Sequence, residues 1–159
     1  MTPAETLVAT YPLLEMLVGL VILAVVILVH GIGVRLVYRH FTLTWERGGQ
    51  QMNPWRYDVI VAVAAASLAA LHLVVTLMWA WPIWLSGLIP GLRDSYFFVL
   101  ENYTTLGGGT VNLPKGWRLI GPVIAISGLF NFGWTASIFV NMMRDVGSMD
   151  RAQARGGHS

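Results

Sequence analysis

The sequence predicts an all-α membrane protein with three transmembrane helices and a short re-entrant segment between the second and third helices. Hydrophobic residues make up 55% of the 159 residues and charged residues only 11%, so the chain is far more apolar than a soluble domain of this length. The apolar residues form three long stretches, and a shorter, partly polar stretch separates the last two. A formal charge of +2 without a basic run argues against a nucleic-acid partner.

The first apolar stretch, residues 13–37, is long enough to cross a bilayer, since about 20 helical residues suffice. The residues before it contain no Lys or Arg, so we expect this helix to stay attached rather than to act as a cleaved signal peptide. Residues 38–57 then form a predicted polar loop with Arg39, Arg47 and Arg56. The positive-inside rule places this loop in the cytoplasm.

The second and third apolar stretches complete the predicted membrane part. Residues 59–81 are rich in alanine, which allows close approach of a neighbouring helix, and Pro82 among several tryptophans marks the far interface. Residues 119–142 form the third span, and a polar tail with three arginines follows, which we expect to be partly disordered. Because the first loop and the tail are both basic, three spans place the N-terminus outside and the C-terminus in the cytoplasm of a plasma-membrane protein.

The stretch between the last two spans, residues 96–114, contains Glu101, two adjacent threonines and three consecutive glycines. A short amphipathic run that ends in glycines is typical of a half-helix followed by unusual backbone, because glycine tolerates positive φ. Irregular backbone at membrane depth survives only where protein buries it or where it lines water. The pattern therefore predicts a pore loop, and the alternative interpretation is a flexible turn between two helices.

This stretch also resembles a known family. The order Glu, two residues, Thr-Thr, apolar residue, Gly, any residue, Gly over residues 101–109 resembles the filter loop of tetrameric potassium channels. The similarity covers about residues 59–143, since Trp117 with Arg118 and the residues 128–133 resemble the start and the glycine hinge of that family's inner helix. The resemblance implies three segments: an extra N-terminal helix with its loop (1–57), a two-helix pore module (58–144) and a cytoplasmic tail (145–159).

For function, the resemblance implies passive conduction of a cation, with no enzymatic activity and no cofactor apart from the permeant ion, for which K⁺ is the expected identity. Because one loop cannot surround an ion, it also implies a homotetramer. The implied ion-coordinating filter is formed by Thr105, Leu106, Gly107, Gly108 and Gly109. Its implied support is Glu101, Thr104 and Thr110, and the implied hinge or cavity residues of the inner helix are Gly128, Asn131 and Gly133.

Two positions depart from the family's pattern. The tyrosine of the family's filter is Gly108 here, and the aspartate that follows the filter is Thr110. The ring and the carboxylate that brace the family's filter are therefore missing, and we expect poor discrimination between potassium and sodium. A non-conducting membrane protein that keeps this fold as a scaffold or partner subunit is the alternative function.

Two histidines in the predicted helices allow a third interpretation, a haem or metal-binding membrane protein. His30 lies 7 residues from the predicted helix end at residue 37, about 10 Å, whereas His72 lies 13 residues from the predicted start at residue 59, about 20 Å. Two axial ligands should lie at similar depth, so this count argues against haem. We expect the histidines to serve in hydrogen-bonded helix packing or proton sensing instead.

Overall fold

The computed structural model describes residues 12–48, 54–107 and 109–156, and this part of the chain is helical and contains no strand. Its α-helices are α1 (Pro12–Gly48), α2 (Pro54–Leu85), α3 (Leu92–Tyr103) and α4 (Ile120–Gly156), with a short 3-10 helix at Lys115–Trp117. Helices α1, α2 and α4 are long and apolar enough to cross a membrane by length and composition. This confirms the predicted all-α membrane protein with three long apolar helices.

The first long helix extends beyond the end that the sequence pattern predicted. Helix α1 continues past residue 37 to Gly48, so most of the segment predicted as a polar loop is helical. Phe41 and Trp45 explain the difference, because their side chains are only 2% and 7% exposed and pack in a core. Burial of such a face stabilises a helix more than the polar composition of its other residues weakens it.

The other two long helices are also longer than predicted. Helix α2 continues through Pro82 to Leu85, since a proline near the end of a membrane helix is tolerated. Helix α4 begins at Ile120, and Pro122 lies in its first turn, where the missing N–H would have had no helical partner. The tail that was predicted to be partly disordered is helical as far as Gly156.

The chain divides into two compact units, and the divisions between them fall within the long helices. One unit comprises Met1–His30 and His72–Asn131, and parts of all four helices contribute to its core. The side chains of that core include Val26 of α1, Val75 and Trp79 of α2, Val99 and Tyr103 of α3, and Ile120 and Ile124 of α4.

The other unit comprises Gly31–Leu71 and Phe132–Ser159. Its buried core consists of Val34, Phe41, Trp45, Ala64, Leu68 and Met142. A glycine permits a close contact here, since a Cβ on Gly31 would lie 2.6 Å from the ring of Trp134. In the same unit the Tyr38 hydroxyl donates a 3.2 Å hydrogen bond to the carboxylate of Asp145.

Candidate functional site at the end of the short helix

Helix α3 has 12 residues, too few to cross a bilayer, and it is held firmly within the first unit. It begins after Gly91, whose φ of +87° suits a residue without a side chain. The hydroxyl of the fully buried Ser95 donates to the Gly91 carbonyl at 3.0 Å. Phe98, Val99 and Tyr103 are buried in the unit's core, so one face of the helix packs against the long helices.

The last residue of α3 contacts two of the long helices. The Tyr103 hydroxyl and Nδ1 of His72 are joined by a 2.8 Å hydrogen bond. On the other side Gly128 of α4 lies against the Tyr103 backbone so closely that a Cβ at position 128 would overlap the Tyr103 carbonyl oxygen. His72 lies 17 residues after the start and 13 before the end of the candidate span Trp55–Leu85, so the contact is near the middle of that span.

The backbone after Tyr103 is non-helical and strained. The N–H groups of Leu106 and Gly107 both donate to the Glu101 carbonyl, at 2.9 and 3.3 Å, which closes a tight turn. Thr105 has a φ of +58° and Gly107 a φ of +62°. Positive φ is rare for a β-branched residue and costs about 1–3 kcal/mol, so this segment concentrates backbone strain. The sequence pattern predicted unusual backbone at the glycines but not at Thr105.

The predicted support residue Glu101 lies beside the end of the predicted filter. A Cβ on Gly109 would overlap the Glu101 carboxylate, so that side chain packs against the Gly109 backbone. Thr104 is the C-cap of α3, and its hydroxyl donates to the Leu100 carbonyl at 2.7 Å. The intervening Gly108 lies outside the described residues. Five described residues of this region are exposed in the single subunit: Thr104, Thr105, Leu106, Gly107 and Thr110.

The predicted inner-helix residues have three different environments. Gly128 is in close contact with α3, so packing by itself accounts for a glycine there. Gly133 has no atom of the described residues within 4 Å of the place where a Cβ would be. Asn131 is 0% exposed, so its side chain is enclosed within the single subunit.

His30 and His72 lie at the same level, contrary to the depth count made from the sequence. Their ring centroids are 5.1 Å apart, and both residues are buried, with exposures of 0% and 9%. The count is wrong because both helices are longer than predicted: His30 lies 18 residues before Gly48, and His72 lies 18 residues after Pro54. Among the described residues, no group of three or more His, Cys, Asp or Glu is placed to hold a metal ion.

These histidines belong to a buried polar cluster that the sequence analysis did not identify. His30 of α1 hydrogen-bonds to the backbone of Asn131 in α4 and contacts His72 of α2, which bonds to Tyr103 of α3. One residue from each helix therefore meets the others beside the end of α3. The helical spacing of Phe41 and Trp45 continues the apolar face of α1. It is the sequence signal that would have extended α1 beyond residue 37 and so placed the two histidines at the same depth.

Chemically, the segment after α3 offers backbone carbonyls and threonine hydroxyls, the oxygen ligands that suit a hard cation. Comparison with protein-family models, with curated proteins and with solved structures finds no match for this chain. A functional proposal for this chain therefore rests on its own residues and contacts.

Proposed function

We propose that the chain is one subunit of a homotetrameric cation channel of the plasma membrane, in which α3 and the residues after it form the pore loop. The observation that carries this proposal is the position of Tyr103, the last residue of α3, beside the middle of α2. A helix that follows the end of α2 and stops halfway back along it delivers non-helical backbone to the membrane interior. Such backbone is stable there only where protein buries it or where it lines water.

The exposure of the segment supports an assembly of several copies. Residues 104–107 are exposed in the single subunit, and Leu106 is 77% exposed. Lipid cannot satisfy the polar groups of non-helical backbone, so neighbouring subunits or pore water must contact them. Four copies around an axis would give each ion a ring of carbonyl oxygens in place of its hydration shell.

The filter would use the carbonyl groups of residues 105–109, with K⁺ the expected ion. Glu101 supports this segment from behind, since its carboxylate packs against Gly109. With Gly108 and Thr110 in place of the tyrosine and aspartate of the similar family, no ring and no second carboxylate brace the filter. We therefore expect the native pore to discriminate poorly between potassium and sodium.

The proposal is tested with the purified protein. Native mass measurement in detergent should give four subunits, and liposomes containing the protein should pass K⁺ and Na⁺ at similar rates. A folded tetramer that passes neither ion would reject the channel and favour a scaffold or partner subunit. A stable dimer or trimer would reject a filter built from this loop.

A matched pair of variants links the flux to the loop. Gly107→Ala and Gly87→Ala both place a side chain at positive φ, +62° and +69°, and neither new Cβ meets a described atom within 4 Å. The backbone penalty, about 1 kcal/mol, is therefore similar in the two variants. Only Gly107 lies in the proposed filter, so Gly107→Ala should change the ion flux severalfold while Gly87→Ala leaves it near the native value.

A further inference from the structure

We infer that His72 and Tyr103 are positioning residues for the segment after α3 and that His30 brings the first helix into the same support. This inference rests on the proposed function, because it assigns these residues to the stability of the proposed filter. None of the three lies in the filter itself, and the first helix otherwise has no assigned role in the pore.

Tyr103 is the point at which the strained segment is attached to the rest of the subunit. Only Thr104 separates it from Thr105, whose positive φ persists only where the surrounding structure over-determines it. The Tyr103 side chain is 1% exposed, and its hydroxyl bonds to His72 at 2.8 Å. The hydrogen bond therefore ties the end of α3 to the middle of α2 two residues before the strain.

Tyr103 is also held from the opposite side. Its carbonyl oxygen lies against Gly128 of α4, at a distance that excludes any side chain on position 128. The side chain is fixed by α2 and the backbone by α4, so the peptide that leads into the segment has little freedom to rotate. The turn that follows is closed by the two hydrogen bonds to the Glu101 carbonyl.

His30 extends this support to α1. Its ring packs on the ring of His72 at 5.1 Å with a tilt of 49°, and it hydrogen-bonds to the Asn131 backbone. An imidazole held on one side by a second ring keeps the orientation that its hydrogen bond to Tyr103 requires. The first helix therefore acts on the segment through His30 and His72.

Hydrogen exchange of the segment's amides tests the inference independently of conduction. In Tyr103→Phe the ring remains but the hydroxyl is lost, and the amides of residues 104–107 should exchange roughly five- to tenfold faster, the effect of losing about one hydrogen bond. The control is Tyr96→Phe, since Tyr96 accepts a 3.2 Å bond from Thr76 of α2 near the start of the same short helix. Tyr96→Phe should leave these amides unchanged.

Two variants of His72 complete the design. His72→Leu removes the partner of Tyr103 and should accelerate the same amides, whereas His72→Gln keeps a polar group in reach of the hydroxyl and should restore most of the protection. If Tyr103→Phe does not fold, the comparison of amide exchange between His72→Leu and His72→Gln tests the inference. Unchanged exchange in both Tyr103→Phe and His72→Leu, or equal acceleration in Tyr96→Phe, would overturn the inference.

Ion selectivity provides the second measurement. Reversal potentials with opposed K⁺ and Na⁺ solutions should shift in Tyr103→Phe and His72→Leu and stay at the native value in Tyr96→Phe. If the native tetramer passes no ion, the proposed function fails, yet the exchange experiment still decides whether these residues position the segment. If it conducts and the exchange is unchanged, only the positioning role fails.

Discussion

At the scale of single residues, the glycines of α4 show that one residue type serves different purposes. A side chain at position 128 would overlap the backbone of Tyr103. Backbone cannot move aside as a flexible side chain could, so this position requires glycine. Gly133 faces open space in the single subunit as far as the described residues show. The family resemblance implied a hinge at Gly128 or Gly133, whereas the contacts predict different responses of the two positions to the same substitution.

The first prediction compares Gly128→Ala with Gly133→Ala. Gly128→Ala should destabilise the subunit by about 1–3 kcal/mol or more, because the added methyl overlaps a fixed carbonyl. Gly133→Ala should be neutral or stabilising by up to about 1 kcal/mol, because alanine is the better helix former. Thermal unfolding in detergent measures both, and a Gly128→Ala protein as stable as the native one would contradict the observed packing.

At the scale of elements, the part of α1 up to His30 belongs to the first unit. Its buried residues there include Glu15, Val26 and His30, which are at most 4% exposed. The Glu15 carboxylate accepts a hydrogen bond from the backbone N–H of Leu119, immediately before α4. A buried carboxyl group that meets a helix-terminal N–H anchors the start of α4.

The second prediction concerns this anchor. Glu15→Ala should lower the free energy of unfolding by about 1–3 kcal/mol, since the Leu119 N–H then loses its charged acceptor. Glu15→Gln keeps an acceptor oxygen and should recover most of the loss. Thermal unfolding in detergent compares the two, and equal destabilisation by Ala and Gln would show that the hydrogen bond is not what Glu15 contributes.

Much of the architecture could be predicted because hydropathy and length are properties of the sequence itself. The three apolar helices and the short helix before the glycines followed from them. The helix ends did not, because residues such as Phe41 are helical through contacts with residues distant in the sequence. The cluster of His30, His72 and Tyr103 was missed for the same reason, since its alignment depends on where α1 ends.

At the scale of the whole molecule, the charges bear on how the chain crosses the membrane. Four of the ten Lys and Arg residues lie toward the end of α1 or at the start of α2, and three lie toward the end of α4: Arg35, Arg39, Arg47 and Arg56, and Arg144, Arg151 and Arg155. With three spans, both groups lie on one side, which the positive-inside rule assigns to the cytoplasm. The proposed filter segment would then be entered from the outer face.

The third prediction tests that orientation. The sequence contains no cysteine, so a cysteine introduced at Thr2 or at Ser159 is a unique thiol. An impermeant thiol reagent applied to intact cells should label Thr2→Cys and not Ser159→Cys, and permeabilised cells should show labelling of both. The reverse pattern would invert the topology, and equal labelling in intact cells would exclude three spans.

The contact between His30 and His72 makes α1 part of the surroundings of Tyr103, so α1 cannot be removed without changing them. A pore built from two helices and a loop could in principle be an autonomous module to which further helices are added. Here a shortened chain without α1 would retain every residue of the proposed filter and lose the ring behind His72 and the acceptor for Leu119. Because α1 precedes Tyr103 in the sequence, it is synthesised first and is available for packing when Tyr103 is added to the chain.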